Sequence, residues 1–432
     1  MEAPNVRWRL NTRLLPPLFG VLLLLQIISP YRGWEALLIG LGGAWALSSL
    51  WAWHLARHLR MKREMRFGWA QVGDRLVERF TLINECRFPA PWIEIRDHST
   101  LPDYEASRGT GIGANNFIRW HKEALCTRRG LFYLGPMELQ TGDPFGIYTV
   151  TLSYPHTMPL LVLPPIVPLP PIDIAPGGRT GSGPLRSNPL DRTVSASSVR
   201  DYAPGDSLRW IHWKTTARRN ALFVRTFDGT PSGDWWILLD MDRDVQVGEG
   251  EDSTQELGVI LAASLADRGL RAKRSVGLMA YGEELQWLPP NSGEGQRWEI
   301  LRSLALVSLG DRPISELLHR VQGALGQRTS VIIITPSTHP RWTESLVTLQ
   351  RQGAVPTVLL LDPISFGGYR KTGAIEARLN QLGIAYGVIT RDLLDRPEAR
   401  PGKQGTWEWR VLGTGKAIPV RRAAEGGWRR LV

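Results

Sequence analysis

Two uncharged apolar stretches near the N-terminus constrain this chain more than any other feature. From Leu14 to Tyr31 there is no charged residue, and the centre reads Phe19-Gly20-Val21-Leu22-Leu23-Leu24-Leu25. From Ala36 to Ala56 there is again no Asp, Glu, Lys or Arg. A helix crosses hydrocarbon with about 20 residues, rising about 1.5 Å per residue through a core about 30 Å thick. The second stretch meets that length. The first is slightly short and begins at Pro16-Pro17, which suit a first helical turn. Trp34, Trp51 and Trp53 lie near the ends of the second, where amphipathic rings favour the membrane interface. No small-residue cleavage site follows Ile28, which argues against a signal peptide. Residues 1–66 are expected to form a transmembrane helical hairpin.

Charge sets the expected orientation. Arg7, Arg9 and Arg13 precede the first stretch, and Arg57, Arg60, Lys62, Arg63 and Arg66 follow the second, while the turn between them holds only Arg32. Positive flanks stay inside, so a multi-pass cell-membrane protein with cytoplasmic N- and C-termini is expected. The formal net charge is +11. Residues 1–66 hold nine basic against three acidic residues, and 391–432 hold ten against five, so 67–390 is formally neutral. A nucleic-acid binder shows its basic surface on the folded domain. No nucleic acid is therefore expected, and a membrane-proximal nucleic-acid binder stands only as an alternative. Basic ends suit anionic headgroups, which makes membrane lipid an expected partner. The only cysteines, Cys86 and Cys126, rule out a disulfide-built scaffold and show no zinc-type Cys-His spacing.

The body divides by pattern. Residues 67–165 carry short alternating strands such as Trp92-Ile93-Glu94-Ile95-Arg96, with turns at Gly73-Asp74, Gly135-Pro136 and Asp143-Pro144-Phe145-Gly146. That spacing predicts a β-sandwich domain. Residues 166–190 are a Pro/Gly-rich linker or covering strap. Residues 191–395 alternate apolar strands (Trp235–Leu239, Ser275–Ala280, Val331–Ile334, Thr357–Leu361, Ala385–Ile389) with helical stretches, which predicts an α/β domain with a parallel sheet covered on both faces. Residues 396–432 form a basic C-terminal tail. No Gly-x-x-x-x-Gly-Lys-Ser/Thr loop occurs, so ATP hydrolysis by this chain is not expected.

A dense segment precedes the α/β sheet: Asp201-Tyr202-x-Pro204-Gly205-Asp206-Ser207-x-Arg209-x-Ile211-His212-Trp213-Lys214-x-x-Ala217-Arg218. Asp206 suits the N-cap of a short helix whose Trp210, Trp213 and Ala217 share one packed face. No positional motif makes Ser207 and His212 a catalytic pair. The pattern resembles the signature of the family called domain of unknown function number 58, as do the upstream Asp143-Pro144-Phe145-Gly146 and the two-helix anchor. The resemblance implies a membrane-anchored prokaryotic protein with a von Willebrand factor A-like domain. It also implies association with MoxR-type AAA+ ATPases and transglutaminase-like proteins. Asp201, Tyr202, Pro204, Gly205, Asp206, Arg209, His212, Trp213, Lys214 and Arg218 are then structural or partner-binding.

Asp240-Met241-Asp242-Arg243-Asp244 follows the first strand of the sheet, at the edge where such sheets bind ligands. In von Willebrand A domains this loop carries Asp-x-Ser-x-Ser and holds a divalent metal. Here Asp240 matches the first position, Asp242 and Asp244 replace the serines, and Thr335-Pro336-Ser337-Thr338 stands where a later Asp is expected. The resemblance thus implies a degenerate position for Mg²⁺ or another divalent cation. A calcium loop ending at Glu251 would need Gly where Val245 stands. A metal-dependent phosphatase-like enzyme would use Asp240 as nucleophile and Asp242 as acid/base. The remaining reading is a solvated acidic loop with Arg243 as its counter-charge. The preferred expectation is a cytoplasm-facing, membrane-anchored protein-interaction module without catalytic residues, working with a MoxR-type AAA+ ATPase as chaperone or assembly factor.

Overall fold

The computed structural model describes residues 4–169, 172, 174, 196–202, 211–219, 221–227, 234–325, 329–394, 399, 407–411 and 417–421. The chain begins with β1 (Asn5–Leu10), followed by α1 (Leu15–Ile28) and α2 (Arg32–His58). At 27 residues α2 is long and apolar enough to cross a membrane, whereas α1 is apolar but has only 14. Both turn large apolar side chains outward, among them Ile27, Ile28 and Ile39. Water would oppose so much contiguous apolar surface.

The β domain continues with β2 (Leu59–Met65), β3 (Trp69–Gln71), β4 (Arg75–Asn84), β5 (Ala90–Asp97), β6 (Arg108–Ile112), β7 (Asn116–Leu125), β8 (Gly130–Leu134), β9 (Met137–Gly142), β10 (Tyr148–Tyr154) and β11 (Met158–Leu163). Three sheets, ordered β1-β10-β9-β5-β6, β3-β11-β8 and β2-β4-β7, surround one core that includes Phe80, Leu82, Ile93, Leu139 and Leu152. Two strands lie where the anchor was expected. β1 pairs antiparallel with β10 from Asn5↔Ser153 to Leu10↔Tyr148, and β2 pairs with β4. Their arginines had marked them as membrane flanks. The same residues alternate with Val6, Trp8, Leu59 and Met61, which is the period of a strand. The helical pair therefore leaves the β domain through one strand and returns through another.

Residues 164–169, 172 and 174 run across the second domain. Val167 and Ile172 are buried there, and the Val167 N–H donates to Ser264 Oγ at 2.9 Å. The second domain opens with β12 (Ala196–Asp201), α3 (Trp213–Arg219) and β13 (Phe223–Phe227), a two-stranded ribbon and a short helix. It continues with β14 (Trp235–Asp240), β15 (Gly248–Glu249), β16 (Asp252–Ser253), α4 (Thr254–Arg271), β17 (Val276–Tyr281), β18 (Leu285–Asn291), α5 (Glu294–Leu306), α6 (Ile314–Val321), β19 (Ser330–Thr335), α7 (Thr343–Arg351), β20 (Val355–Leu361), α8 (Gly373–Gln381) and β21 (Ala385–Ile389). The six-stranded order is β18-β17-β14-β19-β20-β21. Alternate residues of β14 serve opposite faces: Ile237 and Leu239 pack toward α4, Trp236 and Leu238 toward α6 and α7.

The sheet is mixed rather than wholly parallel, because β18 runs antiparallel to β17. Pro289 and Pro290 cannot donate to a ladder and are tolerated at an edge. The basic tail contains a further pair, β22 (Trp407–Val411) and β23 (Ala417–Arg421). Between the two domains, Arg129 pairs with Glu256 at 2.9 Å, and Trp69 meets Trp298 edge-on with ring centroids 5.2 Å apart.

Candidate functional site

β14 is apolar and buried along its length until Asp240, its last residue, which is 2% exposed. From β14 the chain crosses to β17 on one side, and β19 lies on the other, so the gap between β14 and β19 is the switch point of the sheet. Open α/β sheets bind ligands beyond the strand C-termini at that point. Thr335 ends β19 beside Asp240 and donates its hydroxyl to Asp240 Oδ2 at 2.6 Å. The Ser337 N–H donates to Thr335 Oγ1 at 2.9 Å. On the other carboxylate oxygen, the Asp242 N–H donates to Asp240 Oδ1 at 3.1 Å, and the Asp244 N–H donates to Asp242 Oδ1 at 3.1 Å. Gln246 Nε2 donates to the Asp240 carbonyl at 2.8 Å, and Thr254 Oγ1 donates to Gln246 Oε1 at 2.6 Å.

The loop is held from below by Gly310. Its N–H donates to the Met241 carbonyl at 2.9 Å, and its carbonyl accepts the Arg243 N–H at 2.8 Å. A side chain at Gly310 would collide with the Gly282 carbonyl. Burial is the main cause that pushes the Asp240 carboxyl up to about 7; the Thr335 hydroxyl and the Asp242 N–H pull it down, and the Asp242 charge pushes it up. Loss of hydration disfavours the ionised form more than two hydrogen bonds restore it.

This geometry corrects the acidic-loop reading. Asp240 and Asp242 are buried, and only Asp244 is exposed, so the loop is not a solvated cluster. Arg243 pairs with Asp311 at 3.5 Å rather than balancing the aspartates. Asp240 and Asp242 form a ladder in which each carboxylate accepts from the backbone N–H two residues on, the second rung ending at Asp244. Among the described residues, their carboxylates are not gathered as three ligands to one centre. Each Asp240 carboxylate oxygen accepts one hydrogen bond, from the Thr335 hydroxyl and from the Asp242 N–H. Glu251, the last position of the calcium-loop reading, faces Arg128 at 3.9 Å. Thr335, which heads the stretch standing where the resemblance expects a later Asp, is the partner of Asp240. Its further signal was a hydroxyl at the end of a β-branched strand, and it meets Asp240 only through the sheet.

The Arg200–Arg218 segment is described in part. Asp201 ends β12, and the Tyr202 N–H donates to the Leu222 carbonyl at 2.8 Å. Pro204, Gly205, Asp206 and Arg209 lie outside the described residues, as does Trp210. The described helix spans Trp213–Arg219, and His212 stands before it, its Nδ1 accepting from the Thr215 N–H at 3.2 Å. Trp213 is 67% exposed, and Lys214, Ala217 and Arg218 are exposed too. Trp213 and Ala217 thus form no buried face among the described residues, and Trp210, the third member of the expected face, lies outside them.

Residues 198–366 match the family described as "Protein of unknown function DUF58". The chain is 26% identical over 272 residues to Uncharacterized protein YeaD of Bacillus subtilis, covering 60% of this chain and 65% of that protein. It is 25% identical over 173 residues to Uncharacterized protein Rv1480 of Mycobacterium tuberculosis, covering 38% and 54%. The chain thus spans less than two thirds of either relative. Among solved structures, the CARDB domain of the PF1109 protein from Pyrococcus furiosus, in complex with di-metal ions, aligns with 24% of this chain and 94% of that one, at 9% identity and a TM-score of 0.18. A likeness that slight says nothing of function.

Proposed function

We propose that this chain is a membrane-anchored protein-interaction module that binds its partner at the C-terminal edge of the α/β sheet. The carrying observation is what that edge exposes. The loop after β20 holds Tyr369 at 99% and Ile364 at 47% exposure. Arg243 and Arg341 are exposed on the loops after β14 and β19. Tyr and Arg dominate the centres of protein interfaces. The Asp240–Thr335 bond holds the β14 and β19 loops in one geometry beneath them. Asp240 at the end of the first strand of an open sheet also supports a von Willebrand A-like reading. The partner that the family resemblance implies is a MoxR-type AAA+ ATPase, with a transglutaminase-like protein as a second associate.

The anchor is read as a two-helix hairpin with both ends in the cytoplasm. β1 and β2 flank the helices and belong to one β domain, which supports both ends lying on one side, and the arginine flanks support the inner side. A cavity of about 840 Å³ where α2 meets the β domain combines Arg57, Arg60 and Lys62 with Val6, Leu134 and Met158. Basic and apolar groups side by side at headgroup depth suit membrane lipid.

The test is photocrosslinking in native membranes, with a photoreactive residue at Tyr369 and, as control, at the exposed Glu299 of α5. Mass spectrometry should find one protein partner captured from position 369 and not from 299. Equal capture from both positions, or none, would overturn the proposal. Capture that disappears with EDTA would assign the edge to cation-dependent binding.

A further inference from the structure

We propose that His54, His58 and Cys86 form a site for a Zn²⁺-class cation that clasps the end of α2 to the loop between β4 and β5. One ligand atom from each of the three lies within 4.8 Å of the others. His54 and His58 stand one helical turn apart on one face of α2, and their rings stack at 5.7 Å with an interplanar angle of 25°. Cys86 brings a free, buried thiol from a distant part of the chain, while both imidazoles are half-buried and leave a path from solvent.

The surroundings already hold these groups as ligands are held. His58 Nδ1 lies 2.9 Å from the His54 carbonyl oxygen. A carbonyl only accepts, so Nδ1 carries the proton and Nε2 keeps its lone pair for a metal. Such a backbone partner is the usual device that fixes the tautomer of a ligating histidine. Cys86 Sγ accepts the Phe88 N–H at 3.3 Å, which fixes the direction of the sulfur. The Cys86 N–H donates to Asn84 Oδ1 at 3.1 Å, and Asn84 Nδ2 donates to the Phe88 and Gly113 carbonyls at 2.9 Å each. The loop is also fixed to the helix. The Glu85 N–H donates to the His58 carbonyl at 3.1 Å, and Trp51 stacks on Phe88 at 4.6 Å.

Two imidazoles and a thiolate select a borderline-soft cation over Mg²⁺ or Ca²⁺, which take oxygen ligands. Binding releases the thiol proton to solvent and involves no electron transfer. Three protein ligands leave the fourth tetrahedral position open to water or to a donor from another molecule. Loading would stiffen the joint between α2 and the β domain.

The experiment is a titration of the metal-stripped full chain in detergent with Co²⁺, the spectroscopic stand-in for Zn²⁺. One equivalent should produce a thiolate-to-cobalt charge-transfer band and tetrahedral ligand-field bands, and Zn²⁺ should erase both. Cys86→Ser should lose the charge-transfer band. Cys126→Ser should keep it, because that thiol is fully buried and pushed up to about 11, chiefly by burial. His54→Gln and His58→Gln should each weaken binding about tenfold or more. These half-buried positions keep the test decisive if Cys86→Ser fails to fold. The absence of a charge-transfer band in the unaltered chain, or its survival at full strength in Cys86→Ser or in both histidine variants, would refute the site.

Discussion

Asp240→Asn isolates the most perturbed carboxyl in the α/β domain. In the folded chain Asp240 titrates near 7, raised from an ordinary 3.8 first by burial. Between those values the folded state keeps a proton that the unfolded state has lost. Stability contributed by this group is therefore fully present below about pH 4 and declines as pH rises toward 7. The slope approaches about 1.4 kcal/mol per pH unit, and the accumulated loss is on the order of 4 kcal/mol above neutrality. Asparagine does not titrate. It keeps one acceptor for the Asp242 N–H but disturbs the Thr335 hydroxyl, at a cost of about 1 kcal/mol. The variant should be the less stable protein only below about pH 4.4, slightly the more stable at pH 5 and clearly the more stable at pH 8. A change of 1 kcal/mol moves the midpoint of a domain this size by about 2–4 °C, so the variant's advantage should widen by several degrees from pH 5 to pH 8. The assay is thermal unfolding of the full chain in detergent at pH 5, 6, 7 and 8, read as the difference between variant and parent, which cancels histidine titration elsewhere. A difference that stays constant with pH, or that turns against the variant as pH rises, would refute the argument. The second outcome would mean that a cation or a cationic group keeps Asp240 ionised.

Two substitutions probe the joints of the β domain. Arg129→Ala removes a guanidinium that is 6% exposed, pairs with Glu256, and donates to the Leu304 and Val307 carbonyls at 3.2 and 3.3 Å; it should cost about 3–5 kcal/mol and separate the unfolding of the two domains in calorimetry. Arg63→Met leaves the carboxylates of Glu78 and Asp97, 0% and 1% exposed, without the guanidinium that bridges them at 2.7 and 2.9 Å. Chemical denaturation should show a loss of about 3–5 kcal/mol there, partly recovered when Glu78→Gln is added.

Much of the α/β domain was legible because its strands are continuous apolar runs and its helices repeat at 3.6 residues. The spans expected at Val331–Ile334 and Trp342–Arg351 differ from the observed β19 and α7 by at most one residue at either end. β18 was missed because a proline pair reads as a break, and only its edge position tolerates one. β1 and β2 were missed because arginine at alternate positions reads equally as a membrane flank. At the site, Asp240 was found from its place after an apolar strand, but its burial was not. Three acids in five residues suggest solvent, and the Thr335 hydroxyl that receives Asp240 is 95 positions away. The pairing of Cys86 with His54 and His58 escaped for the same reason: ligands contributed by a helix and a remote loop leave no short spacing to read.

The strand that opens the chain has a consequence for how the protein is made. β1 is synthesised before either helix, yet its partner β10 emerges only after β2 through β9, since Asn5 meets Ser153. The first strand must wait for the tenth, so this sheet closes late and against a large loop entropy. With the two helices inserted as a hairpin, β1 waits on the side where β10 will appear. With only one helix across, the bilayer would stand between them, the sheet would lack its edge strand, and β10 would be left open to pairing with other chains. Under the proposed hairpin, completion of this sheet would report correct insertion, and a wrongly threaded chain would present proteases with an unfinished domain.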